Sequence, residues 1–176
     1  DGCGHVKISY NSCRNRHCPK CQGHKKVQWV EARTSELLPV PYFHVVFTLP
    51  DELNTLALHQ PKIVYDALFK AAWQTIEAFT GKNNKPGMIS ILHTWGQNLS
   101  LHPHVHCIIP GGFVTPNDVW KLSKNQGKFL FPVKAMSRVY RAKYVALLKA
   151  SVLEVHQTIY DSLFKKEWVV YAKRPF

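Results

Sequence analysis

Acidic residues are scarce in this chain. Eleven Asp and Glu face 23 Lys and Arg, a formal net charge of +12. That imbalance argues against cationic partners and suits a polyanion such as nucleic acid. Long apolar runs are missing as well: none approaches the ~20 residues needed to cross a bilayer, so no membrane partner is expected. Cysteine is confined, with four of the five falling in the first 21 residues beside His17. This crowding suits metal binding in a reducing cytosol better than disulfides, and a cytoplasmic location is expected. There is no internal repeat and no signal-peptide pattern, and Asp1 is not an initiator residue, so the true amino end is expected to precede it. What is abundant is apolar: 45% hydrophobic residues over 176 positions is enough for one folded core with a small appendage.

The central stretch is Leu101-His102-Pro103-His104-Val105-His106-Cys107-Ile108-Ile109-Pro110-Gly111-Gly112. In a strand alternate side chains share a face, so His104 and His106 project together about 7 Å apart while Val105, Cys107 and Ile109 point toward a core. Pro103 is expected to start this strand and Gly111-Gly112 to end it. The run Met88–Gly96 reads as a second strand, with Ile89, Ile91 and His93 on one face. A loop over Gln97–Pro103 would return the chain antiparallel and bring His93 against the other two. Three imidazoles on one face can hold a divalent metal; Gln97 is the alternative third ligand, and His102 a weaker one. Imidazole ligands alone would equally suit zinc.

At the amino end Cys18-Pro19-Lys20-Cys21 reads as a tight Cys-x-x-Cys turn, half of a zinc knuckle, with Cys3, Cys13 and His17 as possible complements. Arg14, Arg16, Lys20, Lys25 and Lys26 surround it and are candidates for phosphate contacts. A helix is expected over 22–38, with Val27, Val30, Thr34 and Leu37/Leu38 as its stripe. This gives a module and linking helix at 1–38 and a larger domain at 39–176.

Within the larger domain, Tyr42–Leu49 reads as a central strand, closed by Pro50, with Asp51 capping a short helical turn. A helix follows over Lys62–Thr80, then the two histidine strands. Short strands or a flap are expected over Phe113–Leu122 and Gly127–Pro132. Lys134–Leu163 is dominantly helical, broken near 154–157, and a last strand runs over Trp168–Tyr171. The order strand, helix, two strands, flap, helix, strand fits an α+β fold, an open antiparallel sheet with helices on one face. Tyr140 and Tyr144, four apart on one helix face, continue the stripe from Met136 to Leu148, which packing explains; Tyr160 and Tyr171 also read as packing residues.

The His-hydrophobic-His strand, the preceding His93 and the strand Phe43–Pro50 resemble the HUH endonucleases, which nick single-stranded DNA. With Tyr10–Gln22, Leu92–Gln97, Phe129–Val133 and Lys166–Tyr171, the chain is similar to the IS-ninety-one type of rolling-circle insertion-sequence transposase. That resemblance implies an HUH-like sheet joined to a zinc-binding amino end. It implies Mg²⁺ or Mn²⁺ at His104, His106 and His93, and Zn²⁺ at the cysteine cluster. A cysteine just before Asp1 would complete a tetrad with Cys3, Cys18 and Cys21, with Cys13 or His17 as alternates. The activity implied is nicking and joining of single-stranded DNA through a 5′-phosphotyrosine, with no small-molecule substrate. In the resembled family the paired tyrosines follow a segment like Lys166–Phe176, so the nucleophiles are expected beyond residue 176, leaving Tyr140 and Tyr144 as weak candidates. Trp95, Phe113, Trp120 and Tyr42 are candidates for stacking unpaired bases. Two other readings stand beside this one: a non-catalytic zinc-dependent DNA-binding module, and a three-histidine zinc hydrolase. The hydrolase needs a carboxylate base, which only Asp51 or Glu52, brought round by the fold, could supply.

Overall fold

The computed structural model describes residues 18–96, 98–151 and 157–176, with the side chains of 19–21 left aside. The chain divides into two compact units, Asp1–Pro39 and Val40–Phe176. In the first, α1 (Pro19–Ser35) begins with Cys18 as its N-cap and Pro19 in its first turn. The tight turn expected over Cys18–Cys21 is thus the first turn of this helix. The reason is local: proline presets a helical φ, and its missing N–H falls where a helix start has spare donors anyway. Val27, Trp29, Val30, Leu37 and Leu38 are exposed, as are Lys25 and Lys26.

In the second unit, β1 (Tyr42–Thr48) is followed by a 3₁₀ turn at Asp51–Leu53, α2 (Asn54–His59) and α3 (Pro61–Thr80). Asp51 sits inside the 3₁₀ turn, whose cap position is Pro50 without a side-chain bond, so it is not a cap. Next come β2 (Lys85–Pro86), β3 (Ile89–Trp95) and β4 (Leu101–Pro110), then β5 (Gly112–Val114) and β6 (Trp120–Leu122). The remainder is α4 (Val133–Ser151), α5 (Gln157–Lys165) and β7 (Val170–Ala172). No strand forms over 127–132. Asn125, Gln126 and Gly127 all take positive φ (52°, 56° and 81°), and the Gly127 amide donates back to the Ser123 carbonyl, so the chain turns there and 127–132 follows as a flap without a strand.

The main sheet is fully antiparallel in the order β3-β4-β1-β7, and β2-β5-β6 form a smaller one. This is an α+β fold with an open antiparallel sheet. Strict alternation divides the main sheet's faces. Phe43, Val45 and Phe47 of β1 and Val105, Cys107 and Ile109 of β4 are buried with Val64, Leu68, Ala72 and Ile76 of α3 and Met136, Tyr140, Tyr144 and Leu148 of α4. Each such apolar side chain contributes roughly 1.5–3 kcal/mol by leaving water. The opposite face carries His44, Val46, Ile91, His93, His104 and His106. Register holds this division, because a slip of one residue would drive every histidine into the core.

Candidate metal centre on the open sheet face

His93 of β3 stands directly across from His104 of β4, and Ile91 across from His106. The three rings converge: centroids lie 5.4 Å apart for His93–His104, 4.3 Å for His93–His106 and 5.0 Å for His104–His106. One nitrogen from each lies within 4.8 Å of the others, and no other His, Cys, Asp or Glu among the described residues joins such a group. A small closing movement brings that span to the ~3.3 Å separations of nitrogens around an ion bound at about 2.0–2.1 Å. Beside the rings opens a cavity of about 780 Å³ lined by His93, Trp95, Asn98, Ser100, His102, His104 and His106.

A β-bulge shapes this site. Between the pairs His93↔His104 and Trp95↔Leu101, β4 spends two residues, His102 and Pro103, against one of β3. Proline has no amide proton for a ladder, and a bulge in a central strand tolerates that loss; Pro103 therefore lies inside the strand and not at its start. The Leu49 amide donates to the Pro103 carbonyl (3.0 Å), and the Asn54 side-chain amide donates to the Leu101 carbonyl (3.0 Å). The bulge also turns the His102 carbonyl toward the next histidine, where it accepts a hydrogen bond from His104 Nδ1 at 2.6 Å. A carbonyl only accepts, so His104 carries its proton on Nδ1 and presents the Nε2 lone pair.

Electrostatics favour lone pairs on the other rings too. Burial, reinforced by the neighbouring His93, His104 and His44, pulls the His106 pKa down to about 4. His44 is lowered as well, by burial and then by nearby Lys173. A His106 ring held neutral at pH 7 is ready to take a cation.

The expected site residues sort as follows. His93, His104 and His106 come together, and Trp95, 58% exposed, lies at the rim of the same cavity. His102 lines the cavity and serves His104 through its backbone. Gln97, Cys3, Cys13, His17, Arg14 and Arg16 lie outside the described residues, as do the side chains of Cys21 and Lys20; Cys18 is partly exposed. Phe113 and Trp120 belong to the smaller sheet, and Tyr42 stands at the far end of β1, opposite Pro110.

Tyr140 and Tyr144 are fully buried. Tyr140 packs on Phe47 (5.0 Å between centroids) and Trp168 (5.2 Å), on the helix side of the sheet, away from the histidines. Burial raises both phenol pKa values. Tyr160 is buried, whereas Tyr171, expected as packing, is 51% exposed opposite Val46 on the histidine face. Asp51 and Glu52 are engaged by Lys166 (3.0 and 2.5 Å) and contribute no carboxylate to the histidine group.

Sequence reasoning missed His44. Its Nε2 lies 2.7 Å from His106 Nδ1. Alternation already placed it on a face with Val46, but which face met which neighbour depended on β1 pairing with β4, a contact between residues more than sixty apart.

Residues 87–176 match the family described as "Putative transposase", and residues 1–49 match one described as "Transposase zinc-binding domain". "Putative transposase y4qJ" of Sinorhizobium fredii (strain NBRC 101917 / NGR234) is 38% identical over all of this chain and 49% of its own length. "Transposase for insertion sequence element IS801" of Pseudomonas savastanoi pv. phaseolicola is 38% identical over 68% of this chain and 29% of its own. The chain thus spans about half of the first relative and less than a third of the second. Among solved structures, TrwC complexed with a 27-mer DNA comprising the recognition hairpin and the cleavage site aligns at a TM-score of 0.49 and 16% identity, covering 64% of this chain and 46% of that one. No helix among the described residues is long and apolar enough to cross a membrane. The chain belongs to the insertion-sequence transposase family in which a zinc-binding domain precedes the transposase domain.

Proposed function

We propose that the chain is the metal-binding part of a transposase that nicks and joins single-stranded DNA. The observation that carries this reading is the convergence of His93, His104 and His106 at an open cavity on the uncovered face of the sheet. The cation is Mg²⁺ or Mn²⁺. When bound it supplies Lewis-acid polarisation of a phosphate. The chain's own contribution is to bring three imidazoles together on one face, to present Trp95 at the rim for an unpaired base, and to attract DNA through its +12 charge. Zn²⁺ belongs to the amino-terminal cysteines, drawn from Cys3, Cys13, Cys18 and Cys21 with His17, and Arg14, Arg16, Lys20, Lys25 and Lys26 meet phosphates beside it. The attacking tyrosine lies beyond residue 176; the burial of Tyr140 and Tyr144 behind the sheet supports their role as packing residues. Action on DNA places the protein in the cytoplasm, with the nucleoid.

The zinc-hydrolase alternative is weakened because no described carboxylate joins the histidines. The test uses end-labelled single-stranded oligonucleotide with Mn²⁺. A protein carrying this chain at the full length of its relatives forms a covalent DNA adduct that His104→Ala abolishes while DNA affinity persists. This chain alone binds the oligonucleotide with an affinity that falls as salt rises, and forms no adduct. Unchanged nicking by His104→Ala, or an adduct on any tyrosine of this chain, would overturn the respective assignment.

A further inference from the structure

His44 lies outside the three-histidine group, yet it touches one member of it. It sits on β1 opposite Ile108, one diagonal step from His106, which pairs with Val46. The two rings are nearly parallel (14°) with centroids 4.9 Å apart. They are not stacked face to face, because His44 Nε2 and His106 Nδ1 approach to 2.7 Å, well inside the ~3.5 Å at which stacked faces rest. The rings therefore meet edge to edge, in plane, as a hydrogen-bonded pair.

Such a pair has two arrangements. In one, His44 Nε2–H donates to His106 Nδ1; a neutral His106 then carries its proton on Nε2 and has no lone pair for a cation. In the other, His106 Nδ1–H donates to His44 Nε2, His44 keeps its own proton on Nδ1, and the Nε2 lone pair of His106 is left free for a cation. Only the second is compatible with metal binding. His104 reaches the same state by a different route, through the His102 carbonyl.

We infer that His44 is a positioning residue. It accepts the Nδ1 proton of His106, and so fixes both the tautomer and the orientation of that ligand. This rests on the metal-centre reading above, but the tautomer can be read without any metal. Partners that orient a ligating histidine from behind are typically worth 10–100-fold in metal affinity.

The test has two independent readouts. Long-range ¹H–¹⁵N correlation spectra of the metal-free chain at neutral pH assign the proton on His106; Nδ1 is expected in the unmodified protein, and Nε2 would overturn the inference with no variant needed. Calorimetric titration with Mn²⁺ then compares His44→Phe, which keeps a ring but cannot accept, with His44→Gln, whose amide oxygen can stand where Nε2 stood. The Phe variant is expected to bind 10–100-fold more weakly and the Gln variant to recover most of that loss. Binding by His44→Phe within twofold of the unmodified chain would overturn the inference. Complete loss in both variants would overturn it too, by making His44 a ligand. If the unmodified chain bound no Mn²⁺, the metal centre would fail, while the spectra would still decide the role of His44.

Discussion

Tyr140→Phe removes a single oxygen atom from the core. In the folded chain that hydroxyl is wholly buried and has no hydrogen-bond partner, while its ring is enclosed by Phe47, Tyr144 and Trp168. A buried hydroxyl that gives up water without finding a partner costs about 1–3 kcal/mol. The void left by its deletion costs back roughly half a kcal/mol, at ~24 cal/mol per Å³ for a volume the size of one oxygen. The variant is therefore expected to be more stable by about 1–2 kcal/mol. That corresponds to a rise in melting temperature of about 2–8 °C, at ~2–4 °C per kcal/mol for a chain of this size. Urea denaturation reads it as a higher midpoint with an unchanged slope. Functionally, the same change should leave Mn²⁺ binding and salt-dependent DNA binding untouched. A loss of 1 kcal/mol or more, in the sense opposite to that given by a wasted hydroxyl, would show that the oxygen is bonded. Loss of DNA adduct formation in a full-length protein would restore Tyr140 as a nucleophile.

Other perturbations give equally direct readings. Burial pushes the Cys107 thiol up to about 12, so a thiol-specific reagent at pH 8 should leave Cys107 unmodified until the chain is denatured; rapid labelling of the native protein would contradict the core assignment. A Cβ on Gly112 would meet the Trp120 ring at 2.5 Å and the Lys121 carbonyl at 2.6 Å, so Gly112→Ala should cost about 1–3 kcal/mol by overpacking, measured by chemical denaturation. In the metal-free chain His106 stays neutral down to about pH 4, whereas an unfolded imidazole protonates near 6.5. The unfolded state thus takes up the proton first, and the contribution of His106 to stability, read as the difference in melting temperature between the unmodified chain and His106→Gln, should fall as pH drops from about 6.5 to about 4 and then level off. An NMR titration midpoint for His106 at 6.5 or above would contradict this.

What could be read in the chain was whatever alternation and periodicity encode. The nearly all-apolar run Tyr42–Leu49 specified β1 as a central strand, though not which of its faces would be covered. His104 and His106 shared a face by alternation, and His93 followed from one antiparallel return. The rest depended on contacts between distant segments. Pro103 read as a strand start because proline lacks a donor; a bulge absorbing that lack inside a central strand shows only once Trp95 is seen opposite Leu101. Tyr171 read as packing because an alternating apolar run does not say which face is covered. Residues 127–132 read as a short strand or a flap, and only the positive φ values at Asn125–Gly127, with the Phe129 amide donating back to the Lys124 carbonyl, decide for the flap. The His44–His106 pair needed the strand order β4-β1, which no local pattern carries.

Diffraction from crystals of this chain grown with Mn²⁺, recorded where manganese scatters anomalously, would locate any ion among the three histidines. One strong anomalous peak at bonding distance from His93, His104 and His106 is expected, and no such peak in His104→Ala. Rings that stay apart with no peak between them, or manganese bound at other side chains, would contradict the metal-centre reading.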